Sequence, residues 1–218
     1  HHIRYLQERF RRFHRRPRLL LRLVTGVLRL VRRQRLGPGL EPAALSRDSD
    51  VLGAVRRGGG DAAWQQSRGR TVFALLSGEG TAGPLLERMQ ELSDPTPEGL
   101  AEAAREAGLV SAASPMLLGV IQGTELVLFG AGGAVCRLER PGAGRHLLES
   151  GGKASYATGQ TLLRHGDVLL CAAGGANMQM QGSLTASGLP AAILDSLLEG
   201  GGIPDNLPVA VLRLGQPS

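Results

Sequence analysis

The sequence predicts an α+β fold with many short strands and few helices, preceded by a separate basic helical arm. Three observations predict it. From residue 41 onward, apolar runs of four to six residues alternate with Gly-rich turns, and the chain holds 32 glycines. Only three body segments carry a helical period, and they do not alternate with the strands as βαβ units would. Charge splits sharply near residue 37. Twelve of the 25 basic residues and only one acid, Glu8, lie in residues 1–36, a local charge of +11. The remainder carries 13 basic and 18 acidic groups, or −5. The overall +6 and pI of 10.5 therefore describe neither part. With 42% apolar residues in 218, the chain can bury a core. No uninterrupted apolar run approaches the roughly 18 residues of a membrane span.

The arm comes first. Ile3, Leu6, Phe10 and Phe13 share one helical stripe, which Pro17 breaks. In the helix expected after it, Arg18, Arg22, Arg29, Arg32 and Arg33 fall within one arc of roughly 100°. Leu20, Val24, Val27 and Val31, with the neighbouring leucines, fill the wider arc. Gly37, Pro38 and Gly39 end the helix, so residues 37–45 are read as a linker and 46–218 as the body domain.

A basic face beside a broad Leu/Val face suits three surfaces. The apolar side can pack on the body or on a larger protein assembly. It can also lie in an anionic membrane interface, where each Arg contributes about 1 kcal/mol. Nucleic-acid phosphates are the weaker third match, because seven aromatics in the chain leave little for base stacking. The expected compartment is the cytoplasm, with peripheral membrane attachment. An organelle stays open, since the arm is Arg-rich and acid-poor but lacks a transit peptide's serines. His1 is not preceded by Met, which leads us to expect an upstream segment or a trimmed tag.

In the body, strands are expected over 51–55, 72–76, 116–121, 125–129, 134–138, 168–171 and 209–214. Gly123 between two such runs marks a hairpin. Helices are expected over 82–92, 97–110 and 190–198. The second has Thr96 as N-cap, Pro97 at its first position, Glu98 in its first turn and Gly108 as its stop. Cys136 and Cys171 each fall inside a strand and read as free, buried thiols.

Several chemistries are excluded. The turn at Gly130, Gly132 and Gly133 follows a strand like a dinucleotide site, but too few residues follow for the phosphate-holding helix. Lys153 is the single lysine and lies in no phosphate loop. There is no G-x-S-x-G elbow, and neither the histidines nor the cysteines have zinc spacing.

Four segments, in order, carry a resemblance. Residues 72–80, VFALLSGEG, are similar to V-F-A-V-A-D-G-M-G-G, and residues 126–132, LVLFGAG, to V-A-N-V-G-D-S. Residues 163–175, LRHGDVLLCAAGG, are similar to the pattern L-x-x-G-D-x-L-L-L-C-S-D-G. Residues 205–211, DNLPVAV, match D-N-x-T-x-x-V. The body thus resembles the metal-dependent protein phosphatases of the PPM type, the phosphatase 2C-like family. The resemblance implies a sandwich of two antiparallel β-sheets flanked by helices. It also implies a pair of divalent cations, Mg or Mn, held by aspartates on these segments.

Here the expected aspartates are replaced by Ser77, Ala131 and Ala173. Asp205 stays, and Asp48 or Asp50 is an uncertain match to the family's N-terminal acid. Glu79 is the nearest replacement carboxylate to Ser77. Two adjacent divalent ions need several anionic oxygens to offset their charge, and alanine offers none. The expectation is therefore a catalytically inactive pseudophosphatase without metal or other cofactor and without a small-molecule substrate. It would act as a scaffold or accessory subunit. An active phosphatase with altered ligands, using Mg or Mn, is the first alternative, and a phosphate-binding nucleic-acid module the second. Asp205-Asn206 and Gly166-Asp167 also read simply as turns.

Overall fold

The computed structural model describes residues 40–41, 51–78, 80–109, 114–140, 143–151, 155–175 and 188–215. All lie in the unit Gly39–Ser218. The basic arm, including Arg18, Arg22, Arg29, Arg32, Arg33, Leu20, Val24, Val27 and Val31, is outside them, as are Asp48, Asp50 and Glu79.

Two antiparallel sheets form the body. The first has six strands: β1 (Leu40–Glu41), β2 (Val51–Arg56), β11 (Val209–Leu214), β10 (Val168–Ala172), β7 (Val135–Arg140) and β8 (Ala143–Glu149), in that spatial order. The second has five: β3 (Gly60–Ser67), β4 (Arg70–Ser77), β5 (Met116–Gln122), β6 (Glu125–Ala131) and β9 (Tyr156–Leu162). Their facing sides share one apolar layer that includes Val55, Phe73, Leu117, Leu128, Leu138, Leu169 and Leu212. Helices α1 (Ala82–Glu91) and α2 (Pro97–Glu106) cover the outer face of the five-stranded sheet through Leu85, Met89, Leu100 and Ala104. Helix α3 (Pro190–Glu199) covers the other sheet through Ile193, Leu194 and Leu197. The expected sandwich is the one observed.

This layering explains which strands announced themselves. β4, β5, β10 and β11 are buried on both faces, so they read as continuous apolar runs. β3 and β9 lie at sheet edges with polar residues along them, and they escaped the sequence reading, as did β8 and the two-residue β1. β1 falls inside the expected linker and pairs with β2, Leu40 opposite Arg56.

Local signals set the helix ends. Thr96 Oγ1 accepts the Gly99 N–H at 3.1 Å, which caps α2 as expected. That helix stops at Glu106, before the expected 110, because Gly108 turns to φ +72. Thr81 makes no side-chain cap for α1; Asp61 on β3 accepts the Ala82 N–H at 2.8 Å instead. At the other end of α1, Arg70 donates to the carbonyls of Gln90 and Leu92, complementing the helix C-terminus. The hairpin between β5 and β6 turns through Gly123 at φ +60. Cys136 and Cys171 are free, buried and directly opposed on β7 and β10, their Sγ atoms 3.4 Å apart. Burial pushes the Cys171 thiol well above its ordinary pKa, with Cys136 adding to the effect.

One tightly packed position lies between two central strands of the five-stranded sheet. Phe73 on β4 lies over Gly119 on β5, and a Cβ on Gly119 would meet the ring at 2.0 Å. Gly119→Ala is therefore expected to lower stability by about 1–3 kcal/mol in urea unfolding, since both neighbours are fixed in the core. Gly83→Ala, where nothing lies within 4 Å, is the control.

Candidate functional site

The positions singled out by sequence gather at one end of the sandwich. Ser77 closes β4, Ala131 closes β6, Ala173 follows β10, and Asp205 sits in the turn before β11. Contacts between their neighbours run in a ring. The Ser77 N–H donates to the Pro115 carbonyl at 2.9 Å, and Pro115 packs against Gly132, next to Ala131. Gly133 faces Gly175, and Gly174 packs on Leu207. The Ala173 N–H donates to the Pro208 carbonyl at 3.1 Å, the Gly59 N–H donates to the Asn206 carbonyl at 2.8 Å, and Gly60 pairs with Ser77. The resemblance had implied this convergence.

The chemistry of the ring is sparse in anions. Ala131 and Ala173 are buried methyl groups, and Ser77 presents a half-buried hydroxyl. Beside Ser77 a cavity of about 170 Å³ is lined by Leu76, Ser77, Gly80, Gly108, Leu109, Ser114, Pro115 and Met116, none of them ionisable. Asp205 is fully exposed, with its carboxylate 3.6 Å from Arg56 Nη1. Asp61 is held by Arg57 at 3.3 Å and by the N-terminus of α1, and Glu149, opposite Val135 at the same end, is exposed. No cluster of three or more His, Cys, Asp or Glu occurs among the described residues. These donors do not fit a pair of divalent cations, which need several oxygen ligands with net negative charge.

Arg56, at the end of β2, was not singled out by sequence. Its Nη2 donates to the Pro204 carbonyl at 2.7 Å and the Leu207 carbonyl at 3.3 Å, while Nη1 faces Asp205. Two carbonyls and a carboxylate, oxygens of the type a hard cation takes, thus converge on a guanidinium. Burial lowers the Arg56 pKa from its ordinary value, opposed by Asp205. The only sequence signal was its place beside Arg57 and three glycines at 58–60.

At the opposite end of β10, Gly166-Asp167 is a structural turn, as its residues suggested. Gly166 adopts φ +87, and Asp167, 1% exposed, accepts from Arg140 Nε at 2.8 Å, Arg140 Nη2 at 2.6 Å and the Arg164 N–H at 2.7 Å. That bidentate pair raises the Arg140 pKa.

No family model matches the sequence, and no curated protein is similar to it. Solved structures are similar in fold. RsbX, crystallised in complex with magnesium, superposes with a TM-score of 0.61 at 14% identity, over 81% of this chain and all of that one. The PP2C phosphatase domain and regulatory fragment of the cell fate determinant SpoIIE from Bacillus subtilis gives 0.54 at 15%, over 77% of this chain and 63% of that one. The RsbU and RsbW domains of Rv1364c from Mycobacterium tuberculosis give 0.52 at 16%, over 83% and 63%. The body of this chain has the fold of the PP2C-type, or PPM, protein phosphatases.

Proposed function

We propose that this chain is a catalytically inactive, phosphatase-like domain that works as a scaffold or accessory subunit. The single observation that carries the reading is the content of the strand-end ring. Three of its four strand-end positions that the resemblance gives to acids hold Ser77, Ala131 and Ala173, and the fourth, Asp205, is exposed and faces Arg56. A buried alanine supplies neither a metal ligand nor a general base. The described residues nevertheless bury three apolar clusters. A retained fold around a depleted site points to a role for its surface, because function resides in sites rather than in folds. A structure of the bacterial stressosome, similar in fold at a TM-score of 0.55, is compatible with a protein-binding role.

The basic arm supplies the tether. Its five arginines on one helical arc and the Leu/Val arc beside them suit attachment to a protein assembly or an anionic membrane surface.

Two measurements test these parts separately. With manganese or magnesium, the full chain is expected to hydrolyse a phosphate ester no faster than buffer. Turnover that requires the metal and is abolished by Asp205→Asn would instead establish an active phosphatase with altered ligands. For the arm, anionic vesicles are expected to retain the full chain at low salt and to lose it on deletion of residues 1–36. Salt-sensitive binding to duplex or RNA without vesicle binding would move the contact to nucleic-acid phosphates. Failure to bind either would leave a protein surface as the arm's partner.

A further inference from the structure

Antiparallel sheets need their edges protected, because an open edge offers unpaired backbone groups to any other strand. Three of the four edges here carry such protection. β1 is only two residues long. β3 carries Asp61, which is fixed to α1 and Arg57, and Gln90 of α1 donates to its Gln65 carbonyl. β8 carries Arg145, His146 and Glu149. The fourth edge, β9, differs. Its seven residues, Tyr156–Leu162, include no charged residue and no proline, and β6 is the described strand with which it pairs.

The side chains of β9 add a second observation. Tyr156, Thr158, Gln160 and Leu162 are exposed, while Ala157, Gly159 and Thr161 are half-buried. Tyr156 at 49% and Leu162 at 67% are two of the three exposed large apolar side chains among the described residues, and they sit at opposite ends of this one strand. Tyr156 stacks on Phe129 with ring centroids 5.7 Å apart, which fixes it at the outer face of the sheet. Arg140 Nη2 reaches the Leu162 carbonyl at 3.4 Å.

We propose that β9 is a homodimerisation edge, which pairs antiparallel with β9 of a second copy about a two-fold axis through Gly159. The sequence of the strand is self-complementary in that register. Tyr156 meets Leu162 of the second copy, Thr158 meets Gln160, and Ala157 meets Thr161, each twice by symmetry. Every exposed apolar side chain of the strand gains an apolar partner, and every exposed polar one gains a hydrogen-bonding partner. A two-fold axis normal to the sheet keeps these side chains on one face. The lack of charge removes the repulsion that would forbid a strand from pairing with itself. Any strand could use the backbone groups of such an edge, and an identical strand matches its side chains as well. The dimer does not depend on whether the strand-end ring is inactive.

Sedimentation of the full chain over a range of concentrations tests this. The expected result is a reversible shift from 22.9 kDa toward twice that mass. Two double variants test the register, both at exposed positions, with circular dichroism and melting confirming the fold. Thr158→Lys with Gln160→Lys sets like charges opposite each other and should weaken association by about tenfold or more. Thr158→Lys with Gln160→Glu sets opposite charges across the axis and should restore it. A monomer at every concentration overturns the proposal. So does a dimer equally strong in both variants, or one lost in both.

Discussion

An apolar layer shared by two sheets positions the other described elements of the body. Phe73 over Gly119, with Leu117, Leu128, Leu138, Leu169 and Leu212 around them, fixes how the five-stranded sheet faces the six-stranded one. Interiors packed at crystal-like density leave little freedom to slide, so the register of the layer fixes where each strand ends. The ends of β4, β6 and β10 and the turn before β11 meet in one ring for that reason.

The same layer reaches into the ring. Ala173 belongs to the inter-sheet core, and Ala131 belongs to the layer beneath α1 and α2. An aspartate at either place would be a buried carboxylate, which costs several kcal/mol unless it is paired and hydrogen-bonded. Alanine removes that dependence. Arg56 then holds the turn at residues 204–207 through its carbonyls, with its own fixed positive charge. Core, ring and clamp together describe a PP2C-like fold whose described strand ends carry few acids.

How much of this the sequence disclosed follows from burial. Strands covered on both faces, such as 116–122 and 209–214, are apolar throughout and were legible, as was α2 from Thr96 and Pro97. β3 and β9 were not, because an edge strand needs few apolar residues, and GDAAWQQS or YATGQTL reads as loop. The lost acid positions were legible because short segments preserve the strand-turn pattern around Ser77, Ala131 and Ala173. Arg56 and Asp61 were not, since their partners lie 148 and 21 residues away along the chain, at Pro204 and Ala82. Long-range polar pairs leave no local period to read.

The central claim is that the ring lacks the charge to hold divalent cations. Calorimetric titration of the full chain with manganese, repeated with magnesium, addresses it most directly. The account predicts no saturable heat and a melting temperature unchanged by either ion or by chelator. Saturable binding of two ions per chain, with a matching rise in melting temperature, would contradict it.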